Sequence, residues 1–147
     1  MRKILFRGKA INRDERYETR TKYKNGDWVY GLVSKLGSEK YGIPMEMTNT
    51  DGISGIDVDR KTVGQYTGLN KNGKKIFEGD VVEYSEIDID GSDIKGKGVL
   101  RWNDNTASFE ISCGLFGVNF CQALLSQVEV IGNIYDNPEL IGGKENG

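Results

Sequence analysis

The stretch Glu86-Ile87-Asp88-Ile89-Asp90-Gly91-Ser92-Asp93-Ile94-Lys95-Gly96-Lys97-Gly98-Val99 gives the clearest indication of the fold. Acidic and apolar residues alternate up to Asp90, which places both isoleucines on one side of an extended strand. Asp90-Gly91 then supplies a tight turn, because glycine readily adopts the positive φ that hairpin turns need. The lysine-rich arm resumes the pattern, so this stretch predicts an antiparallel hairpin in which acids face lysines.

Further runs of strand-forming residues lie on both sides of this hairpin. A second hairpin is predicted around Asn103-Asp104-Asn105, and the other runs are short and punctuated by glycine, of which the chain has 20. The predicted strands are Met1–Phe6, Asp27–Ser34, Val63–Tyr66, Asp80–Ile89, Ile94–Trp102, Ala107–Ser112 and Val128–Tyr135. The pattern predicts a mainly all-β fold, an antiparallel meander that closes into a small barrel or sandwich to bury its apolar face.

The composition excludes several classes of function. The 147 residues include no histidine and only two cysteines, Cys113 and Cys121, which form no CxxC pair. Without histidine, Ser-His and Cys-His nucleophile pairs and the usual nitrogen ligand of zinc are excluded. No apolar run approaches the roughly 18 residues that span a bilayer, and the first one is too short for a signal peptide. We therefore expect a cytoplasmic protein with reduced cysteines, no cofactor, no metal and no membrane partner.

Charge is unevenly distributed along the chain. Residues 1–30 hold 9 Lys+Arg and 4 Asp+Glu, a balance of +5, and the remaining 11 against 18 gives −7. Arg2, Lys3, Arg7 and Lys9, with Phe6 among them, are typical of a basic surface that binds single-stranded nucleic acid. We favour the simpler interpretation that Phe6 points inward while the basic residues alternate outward on an edge strand.

Residues 68–75 nearly match a phosphate-binding P-loop. The position that needs a magnesium-binding hydroxyl is Lys75, and a glycine with β-forming residues follows where a helix must begin. The better interpretation is a tight Asn72-Gly73 turn between two strands. The acidic turn around Asp90 likewise lacks the glycine and glutamate spacing of a calcium loop.

Two pairs of carboxylates have the spacing that acid–base catalysis could use. Glu78 with Asp80, and Asp57 with Asp59, each lie two residues apart, which on a strand places both on one face about 7 Å apart. This spacing is found more often in solvated acids on a surface strand than in catalytic pairs. We expect no catalytic residue, and these carboxylates are the starting point if the protein is an enzyme.

Several motifs together resemble one family. They are Phe6-Arg7-Gly8-Lys9, Trp28-Val29-Tyr30-Gly31, Val63-Gly64-Gln65-Tyr66-Thr67-Gly68-Leu69, Asn72-Gly73-Lys74-Lys75-Ile76-Phe77-Glu78-Gly79-Asp80-Val81-Val82 and Glu129-Val130-Ile131-Gly132-Asn133-Ile134-Tyr135-Asp136-Asn137-Pro138-Glu139-Leu140. On these motifs the chain is similar to the YopX family of small proteins encoded by phages and prophages.

The resemblance implies an SH3-like barrel in the C-terminal part, residues 61–147, and a smaller β-rich N-terminal part with loop insertions, residues 1–60. It implies no enzymatic activity. The shared glycines read as strand punctuation, whereas no turn or core requirement fully explains the Gln65-Tyr66 pair.

The leading hypothesis is a non-enzymatic phage accessory protein that binds a macromolecule and self-associates through an exposed strand edge. A single-stranded nucleic-acid binder that uses the basic N-terminal segment is the second hypothesis, and a carboxylate-dependent enzyme is the third. The candidate partner-binding residues are Arg2, Lys3, Arg7, Lys9, Gln65 and Tyr66.

Overall fold

The computed structural model describes residues 3–12, 22–87, 90–113 and 116–142, and in these ranges the protein is all-β. The strands are β1 (Phe6–Ala10), β2 (Trp28–Lys35), β3 (Met45–Asn49), β4 (Ile56–Lys71), β5 (Lys74–Phe77), β6 (Asp80–Ile87), β7 (Asp93–Asn103), β8 (Ser108–Cys113), β9 (Phe116–Asn119) and β10 (Val128–Asn133). Two short 3₁₀ helices cover Gln122–Gln127 and Pro138–Ile141. Every strand pair in the two five-stranded sheets whose register is resolved is antiparallel, which confirms the predicted fold class.

The chain divides into two compact units, Met1–Tyr66 and Thr67–Gly147. In the N-terminal unit β1 pairs with β2, β2 with β3, and β3 with β4, and β4 returns to pair with β1. These strands therefore form a closed ring. Each strand of the ring has a partner strand on both sides, as in small barrels, although in β2 the segment paired with β1 and the segment paired with β3 share only Gly31. The ring surrounds a core of Ala10, Val29, Met47, Ile56 and Val58.

A bulge in β4 makes this ring possible. The register against β1 jumps from Arg7 opposite Gly64 to Lys9 opposite Asp59, so β4 has extra residues at this point. The Lys9 backbone N–H donates to Thr62 Oγ1 at 2.8 Å, and that hydroxyl donates to the Asp59 carbonyl at 2.6 Å. The threonine thus replaces the missing ladder bond, and the bulge bends the 16-residue strand.

The C-terminal unit contains an open sheet with the strand order β10-β6-β7-β8-β9. Strands β6 to β9 form the predicted meander, and β10 returns to pair with β6. The buried core residues of this unit are Ile76, Val82, Leu100, Ile111, Phe120 and Val128. An SH3-like closure of this unit is compatible with the sheet and remains a prediction.

The two predicted glycine turns, at Asn72-Gly73 and Asp90-Gly91, are present in the structure. Asn72 and Gly73 have φ of 54° and 80°, so the P-loop-like stretch is a tight turn between β4 and β5. Gly91 has φ of 85° between β6 and β7. The Asp90 carboxylate accepts hydrogen bonds from the Ser92 hydroxyl and backbone N–H, which hold the pKa of Asp90 below its usual value.

Candidate functional site

The basic–aromatic cluster consists of Arg7, Lys9 and Trp28, on the outer face of β1 and β2. Lys9 lies directly opposite Trp28 in the antiparallel register. The Arg7 Cζ atom is 4.6 Å from the centroid of the Trp28 ring, and the Lys9 Nζ atom is 5.3 Å from it. Both distances are within the range of cation–π attraction, so the two cations and the ring hold one another in place.

Gly8 explains why both cations point outward. A Cβ atom at this position would lie 2.9 Å from Val63 Cγ2 and 3.2 Å from Met47 Sδ, inside the core. The Cβ position of Gly8 therefore faces the core, and the side chains of its neighbours Arg7 and Lys9 point to the outer face.

Strand β2 continues this outer face beyond the cluster. Tyr30 and Leu32 lie two and four residues after Trp28, on the same face of the strand, and are 41% and 51% exposed. Val29, on the opposite face, is completely buried in the core. The sequence signal for this surface is the alternation of Trp28, Tyr30 and Leu32 along the strand.

A second surface feature of the N-terminal unit is a tight loop, residues 36–43, which we call the tip loop. Ser38 and Ile43 exchange two backbone hydrogen bonds of 2.8 Å. One Arg60 Nη atom donates to the carbonyl of Leu36 at 3.0 Å and to that of Ile43 at 3.3 Å. The guanidinium therefore joins the two ends of the loop.

A groove of about 580 Å³ opens beside the tip loop, and we call it the acidic groove. Its lining residues are Ile11, Asn12, Ser38, Glu39, Gly42, Ile43, Pro44, Met45, Asp57, Val58, Asp59, Arg60 and Lys61. Asp57 lies opposite Glu46 in the β3–β4 register. Partial burial, and then the negative charge of Glu46, raise the pKa of Asp57 above its usual value.

Comparison with known proteins identifies the family. A family model described as YopX protein matches residues 6–142, from the first residue of β1 to the end of the second 3₁₀ helix. The chain belongs to the YopX family. No curated protein and no solved structure matches it.

The predicted partner-binding residues of this YopX-family protein lie in different environments. Arg2 lies outside the described residues, and Lys3 is exposed before β1 begins. Arg7 and Lys9 come together on Trp28, but Arg7 is only 6% exposed, so its contact with the ring dominates over contact with solvent. Of the predicted basic residues that the structure describes, Lys3 is exposed, Lys9 is half-buried and Arg7 is buried.

Gln65 and Tyr66 do not share a surface in this YopX-family chain. They are consecutive residues of β4, so their side chains point to opposite faces of the strand. Gln65 is in register with Phe6, whose ring packs against the N-terminal core. Tyr66 is buried, and its backbone N–H donates to the Leu5 carbonyl at 2.8 Å.

The two carboxylate pairs have different environments. Asp80 is buried and its carboxylate accepts the Phe77 backbone N–H at 2.8 Å, which organises the turn into β6. Asp57 and Asp59 both line the acidic groove, and Asp59 accepts the Lys61 backbone N–H at 3.1 Å. Asp57 thus combines a position in the groove with a pKa raised by partial burial and by the charge of Glu46.

Two further properties of the described ranges bear on function. Within them, no group of three or more cysteine, aspartate or glutamate side chains could hold a metal ion. No helix in those ranges is long and apolar enough to cross a membrane.

Proposed function

We propose that this YopX-family chain is a non-enzymatic binding module encoded by a phage or prophage, and that its partner is a protein that contacts the outer face of β2. The observation that carries the proposal is the exposure of Tyr30 and Leu32 on a strand whose neighbour Trp28 is held by two cations. Aromatic and aliphatic anchors on a rigid scaffold bind at a low entropic cost.

The burial of Arg7 favours a protein over a polyanion as the partner. Its charge is directed at the Trp28 ring, and Tyr30 and Leu32 extend the face with apolar surface. A contact made chiefly by desolvating apolar side chains is typical of protein interfaces, whose buried centres are depleted of charge.

Affinity capture from phage-infected host cells tests this proposal. The tagged wild type is compared with a Tyr30→Ser, Leu32→Ser double variant, and Ile131→Ser, an exposed apolar residue of the C-terminal unit, is the matched control. We expect the same protein to be retained by the wild type and the control in the presence of nuclease, and reduced at least about tenfold by the double variant. Equal retention by all three contradicts the proposal.

We propose in addition that the chain self-associates through β9. This strand is outermost in the C-terminal sheet. The opposite edge, β10, is protected, because the Lys71 ammonium donates to the Val128 carbonyl at 2.6 Å and pairs with Glu129 at 2.8 Å. The outermost strand of a sheet is a template for pairing with a second chain.

The ladder indicates which substitution blocks this edge. Phe120 donates its backbone N–H to the Phe109 carbonyl on β8, so by alternation the N–H of Asn119 points away from β8. Asn119→Pro therefore removes an outward donor and leaves the β8 ladder intact. We expect it to abolish association through β9, measured by analytical ultracentrifugation, and an unchanged oligomer contradicts this route.

Single-stranded nucleic acid is the second candidate partner. Exposed Lys3, half-buried Lys9 and exposed Tyr30, together with the +5 balance of residues 1–30, favour it. Retention of a labelled oligonucleotide should then fall steeply as salt rises, and Lys3→Glu, Lys9→Glu should weaken it. The absence of binding at about 50 mM salt excludes this candidate.

A further inference from the structure

The tip loop exposes apolar surface although it is tightly organised. Leu36 and Tyr41 are 72% and 73% exposed, and Ile43 is 54% exposed. Besides the Arg60 bonds, Tyr41 and Gly42 donate their backbone N–H groups to Ser38 Oγ and the Glu39 carbonyl. The loop is therefore held in one conformation without burying its large side chains.

Gly37 shows how closely the loop is packed at its base. Its φ is +67°, and a Cβ atom would lie 2.4 Å from the carbonyl oxygens of Ile43 and Pro44. The conformation is thus built into the backbone. A preorganised loop loses little further entropy when its apolar side chains are buried against a partner.

The acidic groove has the chemistry that the tip of the loop lacks. Met45 and Val58 contribute apolar lining. The charged lining groups are the carboxylates of Glu39, Asp57 and Asp59 and the cations of Arg60 and Lys61, so carboxylates outnumber cations. The Arg60 guanidinium is already bonded to two carbonyls of the loop. Burial and the charge of Glu46 already make the ionised form of Asp57 unfavourable, so a nearby ammonium group would stabilise it.

The tip of the loop has the complementary groups. Lys40 and Tyr41 are adjacent, with the Lys40 Nζ atom 5.3 Å from the centroid of the Tyr41 ring. They are not among the residues that line the groove of their own copy, whereas Ser38, Glu39 and Ile43 at the sides of the loop are. Projection and groove therefore lie side by side on one patch.

We propose that this patch is a two-fold interface in which the tip loop of one copy enters the acidic groove of a second copy, with Lys40 beside Asp57 and Asp59. A two-fold interface requires a self-complementary patch, in which each copy offers to the other what it receives. The tip and the groove meet this requirement in charge, and they lie side by side on one patch. The inference rests on the self-association proposed above and is an alternative to its β9 route, so the two routes predict opposite results for Asn119→Pro.

The interface is expected to be weak. The eight residues of the loop and the nine further residues that line the groove make 17 per copy, fewer than the roughly 20 to 30 per side of a standard stable interface. We therefore expect dissociation in the range of tens of micromolar, about that of a transient complex. Sedimentation equilibrium from about 5 to 500 µM covers this range.

Substitutions at the tip test the interface directly. Lys40→Glu and Tyr41→Ser change exposed side chains, so the fold should be retained, as circular dichroism and thermal unfolding can check. Each should raise the dimer dissociation constant by at least about tenfold. Asp57→Lys should do the same, and the combination of Lys40→Glu with Asp57→Lys should restore the dimer, because the charges are exchanged.

The outcomes separate this inference from the β9 proposal. A wild-type dimer that Lys40→Glu and Tyr41→Ser weaken and Asn119→Pro leaves intact supports the tip-to-groove interface. A wild type that is monomeric at about 500 µM overturns it, as does a dimer that both tip variants leave unchanged. A dimer lost only in Asn119→Pro overturns it in favour of the strand edge. If Asp57→Lys does not fold, the two tip variants decide.

Discussion

The N-terminal unit and the C-terminal unit are both built from antiparallel strands, but they differ in the arrangement of their strand edges. The first closes its strands into a ring, and the second leaves an open sheet between β9 and β10. The first unit also exposes large apolar side chains. They are Ile4, Tyr30, Leu32, Leu36, Tyr41 and Ile43. In this unit a paired main chain therefore coexists with apolar side chains that contact solvent.

The difference favours two of the proposed modes of recognition. A unit whose strands each have a partner on both sides offers few main-chain donors, so the proposed protein partner would contact side chains such as Tyr30 and Leu32. An open sheet offers its outer strand, and there the main chain can bind. The following variants are designed to break or sharpen this comparison.

Gly31→Ala should have the largest effect, because it breaks the ring. A Cβ atom at Gly31 would lie 1.9 Å from the Thr48 carbonyl oxygen and 2.8 Å from the Asn49 Cα atom, so β2 and β3 must separate. We expect a loss of more than about 3 kcal/mol in the free energy of unfolding, measured by urea denaturation. Gly96→Ala in β7 is the matched control, because nothing lies within 4 Å of its Cβ position. Equal stability of the two variants would contradict ring closure at this point.

Leu100→Ala should come next, because it opens a cavity in the C-terminal core. Leu100 is completely buried among Val82, Ile111 and Val128. Truncation should cost about 3 kcal/mol of unfolding free energy. Leu32→Ala in the N-terminal unit removes the same atoms from an exposed position and should cost less than about 0.5 kcal/mol. A ratio near one between the two losses would show that Leu32 is buried in solution.

Lys71→Ala should have an intermediate effect, because it uncovers the β10 edge. The half-buried ammonium is lost from the Val128 carbonyl and from Glu129. We expect a loss of about 1 kcal/mol in chemical denaturation, together with increased association in sedimentation experiments. Lys74→Ala, at an exposed position of β5, is the control and should change neither quantity. Increased association in the control alone would refute the role of Lys71.

Asp57→Asn should have the smallest effect, and its sign depends on pH. Since the folded chain raises the pKa of Asp57, it binds this proton more tightly than the unfolded chain. The free energy of unfolding therefore falls as pH rises from the ordinary value of 3.8 through the raised one. The variant should be more stable at pH 7 by about a few tenths of a kcal/mol, with no gain at about pH 3. Urea denaturation at low protein concentration measures this, and Asp51→Asn in an exposed turn should show no such gain.

Local chemistry was sufficient to predict the fold class and the hairpin turns. Asn72-Gly73 and Asp90-Gly91 determine their own conformation, because few residues adopt positive φ as readily. The predicted strand Met1–Phe6 was wrong in position, since β1 is Phe6–Ala10. Arg7-Gly8-Lys9 has too little apolar character to be predicted as a strand from sequence. This segment is a strand because its main chain pairs with both β2 and β4.

The features that were not predicted depend on pairing between segments that are far apart in the sequence. The prediction Val63–Tyr66 covers a fraction of β4, because the bulge at residues 59–62 interrupts the alternation of buried and exposed residues. The pairing of β10 with β6 likewise cannot be predicted from a local sequence pattern. Alternation could predict that Arg7 and Lys9 share a face, but their stacking on Trp28 depends on the register of two strands. The tip loop was unrecognised because Arg60, which joins its ends, lies far away in sequence.

The closed ring has a consequence for how such a protein can change. Its framework depends on inward residues such as Val29 and on close-packed glycines such as Gly31, whereas an exposed outward residue such as Leu32 contributes little to folding. Tyr30 or Leu32 can therefore be substituted during evolution without loss of the fold of this unit. Divergence between relatives should be concentrated at those outward positions, and the choice of partner can shift with one or two substitutions.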